Sequence, residues 1–387
     1  MRIEAVSVTD CEGVSLEIRD GLIRSRERRS QCEVFVAPGL VDIQVNGVEG
    51  LDYSSPALRP EHVHAIVEKL ARWGTTHHLP TVITGPADTM VRSIKTIAQA
   101  RREDELVAHS VPSLHVEGPY ISPLDGPRGA HPREHIRSPS IAEYEDWQDA
   151  SGGAIRIVTL APERSGALPL IERLRSDGVI PSIGHTAATP DEIRAAVDAG
   201  ATMSTHLGNG SAAELPRLRN FIWEQLAADE LTAGVIADGF HVPEAVLRVI
   251  ARVKRQNRLV LVSDLAPMAG LEVGIHCWGD VAVQVHPDGR LGVPGTPYLA
   301  GAAFGLDRAI GNFRRASGWT MPEVLRLCTQ NPAQILGIPD YPLSLAEGSA
   351  ADLVVFRYDT AADTLTVLQT IVQGQELFSA QPQRATR

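Results

Sequence analysis

The sequence predicts an α/β fold: a (β/α)8 TIM-like barrel carrying a small β-sandwich domain built from both chain ends. Three observations carry this reading. Between residues 38 and 344, eight short apolar runs alternate with helix-like segments, the pattern of parallel strands joined by crossover helices. Residues 1–37 and 345–387 instead alternate apolar and polar side chains, as in IEAVSV and LTVLQTIVQGQEL, which is the period of half-buried strands. Finally, four of the eight runs end in Glu117, His185, His206 and Asp264. A strand buried on both faces has no packing reason to end in such groups, whereas the C-terminal strand ends of a barrel are where active sites are built.

Taken in order, GLVDIQVNG is followed by the helix-like RPEHVHAIVEKLARWG, and TTHHLPTVIT by PADTMVRSIKTIAQARRED. SLHVEGPY leads through a Gly/Pro-rich loop to SIAEYEDWQ, and AIRIVTLAP leads to ALPLIERLRSDG. IPSIGHT precedes TPDEIRAAVDAG, where Thr189 and Pro190 are start signals for a helix. ATMSTHLGNG precedes FIWEQLAAD, LTAGVIADGFHV precedes PEAVLRVIARVKRQ behind Pro243, and RLVLVSDLAP is the eighth strand. Residues 270–300 interrupt the alternation with a hairpin around a Pro-Asp-Gly turn. Helices then resume with GLDRAIGNFRRAS and MPEVLRLCTQNPAQILG.

The 387 residues are 43% hydrophobic and 21% charged, with a net charge of −11. That is a globular composition with room for one large barrel and an appendage. Lys and Arg are scattered, so neither nucleic acid nor an anionic membrane is expected as a partner. Cys11, Cys32, Cys277 and Cys328 are far apart and form no metal-binding or redox motif. The opening MRIEAVSVTD carries charge where a signal peptide needs an apolar core. No apolar run approaches the ~20 residues of a membrane span. The cytoplasm is the expected compartment.

Taken singly, each polar strand end has a plainer role, as a hydrogen-bonded histidine or a helix cap. Together, Glu117, His185 and His206 would converge from the third, fifth and sixth strands to hold one divalent metal ion, with Zn2+ the expected species and one position left open for water. Asp264, at the eighth strand, would serve as the base. Phase separates these from other histidines: His77 and His78 begin a strand, while His276 and His286 lie in the insertion. None of those four is expected to touch the metal. The first strand ends in Gln44-Val45-Asn46, where many barrel hydrolases carry His-x-His. Amides are poor ligands beside imidazole, so one metal is expected rather than two, with Gln44 and Asn46 in supporting polar contacts.

An ordered set of segments then carries a resemblance: PGLVDIQVNG, LPTVIT, HVEGPY, GAHP, GHTAAT, THLGNG, ADGFHVP, SDLAPMAG, LAGAAFGLDRAI and GSAADLVVF. In these the chain resembles the N-acetylglucosamine-6-phosphate deacetylase family of the amidohydrolase superfamily. The resemblance implies hydrolysis of the acetamide of an amino sugar phosphate. It implies Glu117, His185 and His206 as metal ligands and Asp264 as general acid/base. Ala130 and His131 would meet the substrate, His131 at its carbonyl. Asn209, Gly210 and Arg217 would hold the phosphate, with Arg217 placed to reach across a homodimer interface. Asp238, His241, Leu299, Ala300 and Gly301 would line the sugar.

The loop Gly208-Asn209-Gly210-Ser211, followed by Ala-Ala-Glu before Arg217, departs from the family pattern. A related N-acetyl sugar, galactosamine-type or unphosphorylated, is therefore an alternative substrate. Two further alternatives are an amidohydrolase acting on a cyclic amide and a barrel retained only for binding. Loss of ligands or base would mark the latter, and all four residues are present.

Overall fold

The structure is a computed structural model that describes residues 1–338, 341–342 and 344–380. Residues 381–387 of the expected C-terminal β-region, and 339, 340 and 343 of the expected barrel, lie outside the described residues.

Eight parallel strands form the barrel, named here in chain order: β1 Leu40–Val45, β2 Thr75–Ile83, β3 Leu114–Glu117, β4 Ile155–Leu160, β5 Ile180–Ile183, β6 Met203–Ser204, β7 Thr232–Val235 and β8 Leu259–Leu261. They pair in sequence order in one eight-stranded sheet. The circle closes where the Asn46 amide donates to the Leu265 carbonyl at 2.8 Å and the Asp264 amide to the Gln44 carbonyl at 3.0 Å. Closure removes the sheet edges that would otherwise leave backbone groups unpaired.

The helices start and stop where side chains satisfy their ends. Thr189 and Glu192 make a capping box on Pro190–Ala199, and Gly200, in the left-handed conformation, ends that helix. Asn220 accepts from the amides of Ile222 and Trp223 to start Phe221–Ala227. Helix Ile141–Ser151 holds Trp147 fully buried, stacked on Tyr120 at 5.3 Å between ring centroids. That contact packs the outer layer against the loop leaving β3.

The chain ends assemble into one seven-stranded sheet. Its order is Gln375–Ser379, Thr364–Val372, Leu353–Asp359, Phe35–Pro38, Arg2–Ser7, Gly13–Arg19 and Leu22–Arg28. The two ends meet where Leu353–Phe356 pairs antiparallel with Pro38–Phe35. Both halves contribute to a shared core that includes Ile3, Leu16, Ile23, Val36, Leu353 and Ile371. The insertion after β8 forms three antiparallel strands, Gly274–Trp278, Val281–Val285 and Leu291–Gly292. Among the described residues, no helix is long and apolar enough to cross a membrane.

Two of the expected strands are shorter than their apolar runs suggest. β6 stops before His206 and β8 before Asp264, and both residues take positive φ, +28° and +52°. A residue in the left-handed region cannot continue a strand. His206 and Asp264 therefore sit on the turns just beyond their strands, whereas Glu117 is the last residue of β3.

Truncating the stacked indole would leave a large void beneath the outer layer. Trp147→Ala is expected to lower unfolding stability by about 3–5 kcal/mol, read from the midpoint shift in urea at an unchanged m-value.

Candidate active site

Three strand ends meet in a triangle. Glu117 Oε1 lies 3.0 Å from His185 Nε2 and 3.0 Å from His206 Nε2, and the two imidazole nitrogens are 3.0 Å from each other. All three side chains are buried, and together they form a group able to hold a metal ion. His185 shows how the rest of the protein orients one of these donors. Its Nδ1–H donates to the Pro127 carbonyl at 2.8 Å, which fixes the ring with Nε2 turned toward Glu117. The buried Nδ1 of His206 has no hydrogen-bond partner among the described residues.

The triangle fits a dication on chemical grounds. Two imidazoles and a carboxylate are the donor set of many catalytic zinc sites. The carboxylate is already charge-matched by its neighbours. Burial pushes the Glu117 carboxyl up, but hydrogen bonds from the two histidines outweigh this and hold it well below its ordinary range. Conversely, burial lowers His206, while the Glu117 hydrogen bond more than restores it and leaves its pKa raised. An anionic Glu117 thus demands compensating positive charge in this buried position.

Asp264 stands beside the triangle and is held by amides. Asn46 Nδ2 donates to its Oδ1 at 2.8 Å, and Gln44 Nε2 donates to the same oxygen at 3.2 Å. Gln44 Nε2 also donates to Glu117 Oε2 at 3.1 Å. The two side chains that replace His-x-His therefore separate and orient two carboxylates. Burial and then the Glu117 charge push the Asp264 carboxyl up to about 6. Below them Asp42 accepts from the amides of Gln44 and Ser263 at 3.3 and 3.2 Å, tying β1 to the turn after β8 under Asp264.

His131 lies edge-on to His185, with ring centroids 4.4 Å apart. Its Nδ1 is 2.8 Å from the Thr84 hydroxyl, which has no other acceptor among the described residues. Thr84 is therefore assigned as donor to Nδ1, and the ring hydrogen sits on Nε2. Burial, then the neighbouring His185 charge, depresses the His131 pKa to about 3, so the ring is neutral and offers one N–H.

These groups open into a cavity of about 360 Å³, within the range of small-ligand sites. Of the residues assigned to the substrate, Ala130, His131, Asn209, Gly210, His241, Leu299 and Gly301 line it. Asp238 does not; it accepts from His241 Nδ1 at 2.8 Å and from the His241 amide at 2.9 Å, and so sets the ring that does. Ala300 is buried behind the wall. Arg217 stands on an exposed loop away from this cavity.

Sequence reasoning missed Trp278, Pro297 and Tyr298, which the insertion brings over the cavity. Their signal was the pair of aromatics in the hairpin-like interruption of the strand–helix alternation. It also missed Thr84 and Glu163. The latter accepts from the Thr186 hydroxyl at 2.6 Å and the Ala187 amide at 2.7 Å, bracing the turn that presents His185.

The comparisons with known proteins agree with this geometry. Residues 35–377 match the model of the amidohydrolase family. The chain belongs to the amidohydrolase family. That family is metal-dependent, in keeping with the Glu117, His185 and His206 cluster. The chain is 35% identical over 374 residues to human N-acetylglucosamine-6-phosphate deacetylase, covering 92% of this chain and 87% of the relative. It is 32% identical over 366 residues to N-acetylgalactosamine-6-phosphate deacetylase of Escherichia coli O157:H7, covering 93% of both. Among solved structures it superposes on a mutant N-acetyl-D-glucosamine-6-phosphate deacetylase from Mycobacterium smegmatis in complex with N-acetyl-D-glucosamine-6-phosphate. There the TM-score is 0.86 at 29% identity, over 98% of this chain and 99% of the other.

Gly210 has φ +57°, and a Cβ there would lie 2.7 Å from His185 Nδ1. Gly210→Ala is therefore expected to weaken metal affinity about 10–100-fold by displacing the His185 ring, and to lower the thermal midpoint of the metal-free protein as well, because alanine is strained at this positive φ. Equilibrium dialysis against a zinc buffer measures it.

Proposed function

We propose that the protein hydrolyses the acetamide of N-acetylglucosamine-6-phosphate to give acetate and glucosamine-6-phosphate. The observation that carries this reading is the carboxylate Asp264, held by two amides beside a ligand triangle and facing a cavity of monosaccharide scale. Glu117, His185 and His206 would hold a single divalent ion, with Zn2+ the species their donors suit. When bound, that ion supplies Lewis acidity at the reacting carbonyl and the attacking water.

The chain's own residues supply the rest. Asp264 accepts a proton from the attacking water, with Asn46 and Gln44 fixing which of its oxygens is free. His131, neutral and protonated on Nε2, donates to the carbonyl oxygen as negative charge develops there. Asp264 then returns the proton to the amine nitrogen, which leaves poorly as an anion. Trp278, Tyr298 and Leu299 cover the cavity and restrict water. Asn209 and Gly210 are proposed to contact the phosphate, and His241, set by Asp238, the sugar, beside Leu299 and Gly301.

Arg217 is exposed beside Leu218, itself 73% exposed. This supports a homodimer in which the partner's cavity receives that arginine. A galactosamine-type substrate is the second reading. It is favoured by the Escherichia coli relative and by the departure of residues 208–217 from the glucosamine-type loop.

Acetate release from the glucosamine and galactosamine 6-phosphates, beside unphosphorylated N-acetylglucosamine, decides among these. Efficient turnover of the first is expected, and turnover of none by zinc-loaded protein would sink the proposal. Asp264→Asn should keep the metal and lose at least ~10²-fold in kcat.

The pH profile has a defined sign. Only the carboxylate accepts a proton, so kcat/KM falls as pH drops through the Asp264 pKa. A neighbouring dication favours the charged form, so the acid limb should lie no higher than about 6, and Asp264→Asn should abolish it.

A further inference from the structure

We propose that His77, His109 and Asp352 form a second divalent-metal site, at the opposite end of the barrel from the active site, where an ion would clip the barrel to the terminal sheet. His77 lies near the start of β2, His109 on helix Glu105–Ser110, and Asp352 directly before the strand Leu353–Asp359. Three separate elements thus contribute one donor each. The donor atoms all lie within 4.8 Å of one another.

The closest pair is His109 Nε2 with the two Asp352 oxygens, both at 3.0 Å. Neighbouring ligands of a tetrahedral ion with ~2.1 Å bonds stand roughly 3.4 Å apart, so this pair is already at ligand spacing. His77 supplies the third donor of the set, its ring packed against those of His109 and Tyr341 with centroids 4.8 and 5.6 Å away. Its Nδ1 is engaged by the Thr76 hydroxyl at 3.0 Å, and among the described residues nothing hydrogen-bonds to its Nε2.

Burial and access both fit a structural ion. The Asp352 side chain is 1% exposed, and its Oδ1 also accepts from the Gln373 amide at 2.8 Å. A carboxylate so buried needs positive charge beside it. His77 and His109 line a solvent-connected cavity of about 790 Å³ together with Tyr341 and Gln373, which gives an ion a route in. Arg101 also lines this cavity, but its guanidinium donates to the carbonyls of Val111 and Pro112. Two imidazoles and a carboxylate suit Zn2+ and Co2+ rather than Mg2+ or Ca2+.

The plain alternative is a His109–Asp352 ion pair that takes no metal, and counting ions separates the two. Metal-stripped full-length protein is dialysed against Zn2+ and its zinc content measured, with thermal unfolding recorded alongside. Wild type is expected to bind two ions per chain. His77→Gln/His109→Gln should bind one and keep its deacetylation rate within about twofold. Glu117→Gln/His185→Gln should lose turnover yet bind one ion and still gain thermal midpoint with Zn2+, as expected of a ligand that binds only the folded state.

One ion in wild type would overturn the proposal. So would a second ion that survives in His77→Gln/His109→Gln or disappears in Glu117→Gln/His185→Gln. If the double imidazole variant fails to fold, His77→Gln alone decides, because it spares the His109–Asp352 pair. It should weaken the second ion at least tenfold, and unchanged affinity would refute the site. The zinc count stands whether or not the deacetylase reading holds.

Discussion

The Glu117 carboxylate, buried between two imidazoles at 3.0 Å, is the constraint around which the barrel is organised. An ionised carboxylate in this position is costly unless positive charge and hydrogen bonds surround it. The solution draws on β3, β5 and β6 for the triangle and on β1 for the amide that occupies the other oxygen. The triangle exists only if those strands are fixed in register in a closed sheet. The fold and the site are therefore one energetic unit: loosening the barrel would strand a buried charge.

Local backbone shape serves the same end. His185, His206 and Asp264 all take positive φ, a conformation disfavoured for residues with a side chain. Each lies on the turn just beyond its strand, where its side chain lines the cavity. The surrounding structure compensates through specific contacts: the Pro127 carbonyl on His185, the Glu163 carboxylate under the following turn, and glycines at 129 and 210 that let the imidazole pack against backbone. The amides at 44 and 46 solve a different problem. Glu117 and Asp264 are like charges in one pocket, and neutral donors between them lower the repulsion without drawing either away from its task.

Much of this was legible in order along the chain. Strand and helix periodicity, helix caps such as Thr189 with Glu192, and the phase of Glu117, His185, His206 and Asp264 with strand ends are local properties. They depend on residues a few positions apart. The opposite was true of Thr84, Glu163 and Trp278. Each touches the site through a partner from 23 to 47 residues away, or through a hairpin folding back, and only Trp278, among the aromatics of the insertion, carries a local signal. His77 illustrates the same limit from the other side. Its phase at a strand start places it away from the active site, but only the packing of three distant elements sets it against His109 and Asp352.

The sequence by itself determined the barrel and the pairing of the two chain ends as β-structure, and it singled out Glu117, His185, His206 and Asp264 as a candidate site, because hydrophobic period and donor chemistry are written residue by residue. The tertiary structure alone decided that the ends join as one seven-stranded sheet, that Asp238 sets His241 instead of lining the cavity, and that Arg217 faces outward. It also decided that Gln44 and Asn46 orient two carboxylates. These outcomes depend on distances between residues far apart in the chain, which are fixed only when the barrel closes and its loops settle over the open end.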